Sequence, residues 1–188
     1  MEKEGLQQKI LKELYEWVSV GLGALIITVL IFTFVFRAVG VIGDSMEPTL
    51  HKDDRLILWQ IGYTPKRGDI VVVTKPIQGK SNTPLIKRVI ALGGEEVDID
   101  YVTGAVTITH KDGKKEVLYE PYIKEPIDKR HEVEFPQIIP DGCVFVMGDN
   151  RNNSLDSRAK SPGMIEEHYV LGKAIFRIYP FKLIGKVS

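Results

Sequence analysis

The sequence predicts a mainly β protein: a domain of many short strands tethered by one N-terminal transmembrane helix. Three observations carry that reading. Val18 to Phe36 is a run of 19 residues without a charge, the chain beyond it breaks into short apolar segments punctuated by Gly, Pro and Asp, and few helical periods follow Phe36.

At about 1.5 Å per residue, the uncharged run covers roughly 28 Å of a ~30 Å hydrocarbon core. Ahead of it, Leu6, Ile10, Leu14 and Trp17 recur at helical spacing, with Tyr15 and Trp17 placed for a membrane interface. Residues 1–17 therefore read as an amphipathic lead-in, 18–36 as the transmembrane helix and 37–188 as the extracytoplasmic domain. The run exceeds the ~7–15 residue core of a cleaved leader and passes through Arg37 straight into the globular part, as an uncleaved single-pass anchor would. Lys3, Lys9 and Lys12 before the span outnumber Arg37 and Lys52 just after it, which points to a cytoplasmic N terminus in the cell membrane.

Past the anchor, Leu56–Trp59 and Asp69–Thr74 read as strands, the second ended by Lys75-Pro76. Polar Gln78–Thr83 reads as a loop, and Leu85–Leu92 as a strand closed by Gly93-Gly94. Ala105–Thr109 and Glu116–Tyr119 flank Asp112-Gly113 as a hairpin. Four prolines make 120–142 irregular, so 95–140 is expected as an accessory excursion. Strands at Cys143–Met147 and Leu171–Ile178 follow, and Tyr179-Pro180-Phe181 closes the domain.

Composition limits the partners. Lys plus Arg number 25 and Asp plus Glu number 25, so no net field favours nucleic acid. Cys143 is the only cysteine, which excludes an internal disulfide and reads as a small buried strand residue. His and Cys show no ligand spacing, so neither metal nor organic cofactor is expected.

Three clusters can carry chemistry. Gly43-Asp44-Ser45-Met46-Glu47-Pro48-Thr49 is a turn of small polar residues, and Ser45, nine residues after Phe36, lies within roughly 30 Å of the span even if the connection is extended. A serine hydroxyl needs a base to act as a nucleophile. His51, His110, His131 and His168 show no triad context. Lys87 is the alternative: in Leu85-Ile86-Lys87-Arg88-Val89-Ile90, alternation puts it on one face with Leu85 and Val89, and Arg88 on the other with Ile86 and Ile90. This window fits both an edge lysine with its head in water and a buried amine whose reference pKa of about 10.4 is pushed down by about two units. The third cluster is the polar run Gly148 to Arg158, which reads equally as a solvated loop or as a buried network holding Ser154, Asp156 and Arg158.

In this order the blocks resemble the bacterial type I signal peptidases: a span, then Gly-Asp-Ser45-Met-Glu-Pro-Thr-Leu, Lys66-Arg67-Gly68-Asp69-Ile70-Val71, Ile86 to Glu95, and Met147-Gly148-Asp149-Asn150-Arg151 through Asp156-Ser157-Arg158. The resemblance runs over roughly residues 18 to 180. It implies an antiparallel two-sheet catalytic domain of the signal-peptidase type and a serine endopeptidase that removes signal peptides through an acyl-enzyme. Ser45 would be the nucleophile and Lys87 its general base. Ser154 would orient Lys87, Asp156 and Arg158 would form a structural ion pair, and Met46 would lie next to the substrate. The implied partners are the lipid bilayer and preproteins with small residues one and three positions before the cleaved bond, and the implied state is monomeric. Gly43 stands where Gram-negative members carry a serine oxyanion donor, as in many Gram-positive relatives, leaving the second donor unassigned. Gly93 replaces a proline in the stretch after the base, a change expected to affect the turn more than the chemistry.

Two rivals share parts of this pattern. A self-cleaving repressor-type Ser-Lys peptidase has the Gly-x-Ser-Met turn, but with a DNA-binding helix-turn-helix in place of the span. A single-span β protein that binds partners at the cell surface would have no need for Ser45 and Lys87 to meet.

Overall fold

The computed structural model describes residues 2–76 and 84–187. The expected loop at Gln78–Thr83 lies outside the described residues. The chain divides into two compact units, Met1–Arg37 and Ala38–Ser188.

The first unit is one helix, α1 (Glu2–Phe34). Residues Lys9–Thr33, 25 in all, are long and apolar enough to cross a membrane, and none of that window is covered by protein. Leu25 and Phe32 are 59% and 63% exposed, as expected of a helix whose solvent is lipid. The expected span of 18–36 needs correction at its end. Val35 N–H still bonds the Ile31 carbonyl, but Phe36 begins strand β1 (Phe36–Gly40), whose backbone pairs with the neighbouring strand in place of the helix.

The second unit holds two sheets. The larger comprises β1, β2 (Arg55–Trp59), β3 (Ile70–Val73), β4 (Leu85–Leu92), β9 (Cys143–Met147), β10 (Ile165–Glu166), β11 (Val170–Tyr179) and β12 (Gly185–Lys186). Its order is β1-β2-β11-β3-β4-β9-β10, with β12 on β11. The smaller is β5 (Glu96–Ile99), β6 (Val106–Thr109), β7 (Lys115–Val117) and β8 (Gln137–Ile138), in the order β7-β6-β5-β8. The registers from β2 to β12 are antiparallel. The mainly β, two-sheet architecture is the one expected.

Several boundaries differ. The excursion at 95–140 carries the whole second sheet, and its alternating Glu96-Val97-Asp98-Ile99 is a strand with Val97 and Ile99 buried. The domain does not close at Tyr179-Pro180-Phe181, because β12 returns to pair Lys186 with Phe176 and Gly185 with Arg177. Cys143 is half-buried, at the start of β9 against the core edge.

Three apolar clusters fix these layers. Ile90, Phe145 and Met147 of the large sheet pack with Val97, Ile99, Val106 and Ile108 of the small one, joining the two. Val71, Val73, Val89, Val144 and Val146 form a β-branched layer on β3, β4 and β9. Met46 and Leu50, both fully buried, pack with Leu56, Leu58, Ile70 and Val72. At about 1.5–3 kcal/mol per buried side chain, those two residues alone hold the Ser45 turn onto the sheet.

Candidate active site

Ser45 sits in a turn closed by Glu47 N–H to the Asp44 carbonyl at 3.1 Å and Leu50 N–H to the Met46 carbonyl at 2.9 Å. Its flanks are polar and half-exposed, whereas Met46 and Leu50 have no accessible surface. Met46, expected beside the substrate, is therefore part of the floor under the turn, and it can influence a substrate only through the wall it supports.

Lys87 lies in the middle of β4, opposite Val71 of β3, and alternates with Leu85 and Val89 of the valine layer. It is 2% exposed, and its Nζ lies 2.6 Å from Ser45 Oγ. The strand thus brings to the turn a lysine 42 residues away. A purely partner-binding surface has no need of that contact.

The polar run after β9 is a buried network. Asp156 and Arg158, both fully buried, make a bidentate pair with Nε–Oδ1 and Nη2–Oδ2 at 2.8 Å. Gly148 N–H also donates to Asp156 Oδ2 at 3.0 Å. Burial alone would raise the Asp156 carboxyl, but the Arg158 guanidinium and the Gly148 N–H outweigh it and hold the carboxyl below its usual range. Ser154 is 6% exposed, and its hydroxyl helps to lower the Asp156 carboxyl while falling short of full hydrogen-bond geometry. It lies against Gly148, where an added Cβ would come 2.7 Å from Ser154 Cβ and closer still to Ser154 Oγ and the Ser45 carbonyl oxygen. Gly148 is needed because the loop and the Ser45 backbone meet there with no room for a side chain.

Two further anchors join the turn to the loop. Asn150 N–H donates to the Ser45 carbonyl at 3.0 Å, and Asn150 Nδ2 to the Asp44 carbonyl at 3.1 Å. Arg88, on the opposite face of β4 from Lys87, donates to both oxygens of Asp149 at 2.9 and 2.7 Å, to the Gly68 carbonyl at 2.8 Å and stacks on Tyr122. Thr49 Oγ1 completes Asp149 at 2.5 Å. Sequence reasoning placed Arg88 only by its strand face and left Asp149, Asn150, Thr49 and Gly148 without roles. An arginine in an otherwise apolar strand was the available signal, since such a charge is buried only when paired.

Gly43 is exposed, and a Cβ there would meet nothing within 4 Å. Gly93 packs on the backbone of 140–142, with Pro140 O 2.8 Å from an added Cβ, so the turn after β4 excludes a side chain. His51 follows the Ser45 turn with its backbone N–H on Asp54 Oδ2, His110 lies between Glu95 and Glu116, His168 beside Glu166, and His131 has its pKa lowered first by burial and then by Arg158. Among the described residues no group of three His, Cys, Asp or Glu could hold a metal ion.

Comparison with known proteins agrees with this arrangement of blocks. Residues 14–179 match the family described as "Signal peptidase, peptidase S26". The chain is 38% identical over 174 residues to a probable signal peptidase I-1 of Synechocystis, covering 88% of this chain and 82% of that protein. It is 36% identical over 188 residues to a signal peptidase I of Bacillus licheniformis, covering 93% and 94%. It is 32% identical over 199 residues to signal peptidase I S of Bacillus subtilis, covering the full length of both. With a match across most of its length, the Ser45 turn, β4 and the loop after β9 included, this chain belongs to the S26 signal peptidase family.

Proposed function

We propose that this chain is a membrane-anchored signal peptidase I that cleaves signal peptides from exported preproteins with a Ser45/Lys87 dyad. The observation that carries the proposal is the 2.6 Å approach of Ser45 Oγ to the Nζ of a lysine that is 2% exposed. Burial in β4 disfavours the ammonium. The neutral amine takes the Ser45 hydroxyl proton as Oγ attacks the scissile carbonyl. The resulting ammonium protonates the leaving amine, and the acyl group remains on Ser45 until a water, deprotonated by Lys87, releases it. The family resemblance gives Ser154, buried beside Gly148, the role of orienting the lysine amine, and the Ser45 backbone N–H is one oxyanion donor.

Substrates carry small residues one and three positions before the cleaved bond. Helix α1 anchors the enzyme with its N terminus in the cytoplasm and the catalytic unit outside. Ala38 and Gly40 place small residues two apart just after the helix, but they lie in strand β1 of the sheet, so the anchor stays attached. Incubation of the detergent-solubilised full chain with a preprotein tests the proposal. Wild type should release the mature protein, whereas Ser45→Ala, or a bulky aromatic just before the cleaved bond, should abolish release. Cleavage by Ser45→Ala would sink the assignment.

A further inference from the structure

The segment between β7 and β8 sends two side chains to the loop beside the dyad. Glu120, 6% exposed, accepts hydrogen bonds from Arg151 Nη1 at 2.7 Å and Nη2 at 2.5 Å. Arg151 is fully buried, and its Nε donates to the Gly148 carbonyl at 3.1 Å. Tyr122 donates its hydroxyl to Glu120 Oε1 at 2.9 Å. The Tyr122 ring centre lies 3.9 Å from the Arg88 guanidinium carbon and 5.9 Å from that of Arg151. One ring therefore touches the arginine that follows Lys87 in β4 and the arginine that holds Gly148.

The two arginines commit their edges to carboxylates and carbonyls, which leaves their planar faces, weakly hydrated and suited to an aromatic cover. Tyr122 supplies that cover over Arg88. Its phenol is pushed well above its ordinary value, first by burial and then by Glu120, so the ring stays neutral. Tyr122 belongs to none of the three apolar clusters, so packing of the core does not explain its place. What it touches is the support of both halves of the dyad: Arg88 is bonded through the chain to Lys87 and paired with Asp149, whose neighbours Gly148 and Asn150 abut and bond the Ser45 backbone.

We propose that Tyr122, through its ring face, is a positioning residue for the Ser45/Lys87 pair, keeping water from the Arg88–Asp149 contact and so fixing the relative placement of strand β4 and the Ser45 turn. The inference rests on the dyad reading above. It makes the segment between β7 and β8 part of the catalytic support.

The test is steady-state cleavage of a preprotein by the full chain, well below each variant's thermal midpoint. Tyr122→Leu keeps apolar bulk and removes the ring face. It should lower kcat about tenfold with KM within about twofold of wild type, the pattern of a group that acts only as the transition state forms. Tyr122→Phe keeps the ring and should retain kcat within about twofold. If the leucine variant does not fold, Tyr122→Met carries the same expectation. A wild-type kcat in Tyr122→Leu or Tyr122→Met, a rise in KM alone, or an equal fall in Tyr122→Phe would overturn the positioning role. Lys87→Ala in the same assay separates the two levels. A dead Lys87→Ala beside a wild-type Tyr122→Leu overturns positioning alone, whereas turnover by Lys87→Ala overturns the dyad and this inference with it.

Discussion

Replacing Asp149 with alanine should destabilise the catalytic unit far more than an average substitution. The side chains of Arg88 and Asp149 are 3% and 0% exposed, and two hydrogen bonds of 2.9 and 2.7 Å join them. Asp149→Ala leaves a guanidinium buried without its carboxylate and Thr49 Oγ1 without its acceptor. Breaking one side of a buried pair costs about 3–5 kcal/mol. For a chain of this size about 2–4 °C of thermal midpoint is lost per kcal/mol, so the midpoint should fall by about 6–20 °C. Removing both charges should cost less, because Arg88→Met/Asp149→Leu leaves no unpaired ion. Thermal unfolding of the full chain in detergent, followed by near-ultraviolet circular dichroism on Arg88→Met, Asp149→Leu and their double, beside Asp149→Ala, measures the coupling directly. A fall of less than about 3 °C for Asp149→Ala, or a double variant no more stable than the single, would refute the argument that this pair carries the loop.

Gly148→Ala should abolish turnover, because its Cβ has no room beside Ser154 and the Ser45 carbonyl; wild-type activity in a cleavage assay would show that the loop can move aside. Gly43→Ser, by contrast, enters open space and should keep the thermal midpoint while raising kcat as a new oxyanion donor. An unchanged kcat with an intact fold would mean that another group already fills that role. Asp156 titrates lower folded than unfolded, so it contributes stability that is present above its unfolded pKa near ~3.9 and lost as pH falls from there through the folded value. Urea midpoints should therefore drop as pH falls below about 4, and Asp156→Asn should flatten that drop; an equal drop in the variant would contradict the linkage.

Legibility in the sequence followed the strength of the local signal. Leu85–Leu92 and Cys143–Met147 were readable to the residue because runs rich in apolar residues end at Gly93 and Gly148. Strand β5 carried its period of two in Glu96-Val97-Asp98-Ile99, but four residues, two of them acidic, were too short a run to stand out. The two-residue strands β8, β10 and β12 exist because a partner strand is there, which no local pattern can reveal. At the site, ordered motif blocks singled out Ser45, Lys87 and the Asp156–Arg158 pair, while the 2.6 Å contact required the fold. Arg88 with Asp149, 61 residues apart, and Arg151 with Glu120, 31 apart, were hidden because a buried ion pair leaves no spacing to read. Gly148 was hidden for a different reason: its role is the absence of atoms.

Cleavage of a preprotein by Lys87→Arg, followed across about pH 7 to 10, tests the dyad most directly. Arginine keeps roughly the length of the side chain opposite Val71 but holds its proton at any workable pH, so it cannot accept the Ser45 proton. With the fold verified by an unchanged circular dichroism spectrum, the account predicts no turnover at any pH in the variant, and a wild-type rate that rises on an alkaline limb, above the range of a histidine near ~6.5. Substantial turnover by Lys87→Arg, with the wild-type limb unmoved, would show that another group deprotonates Ser45.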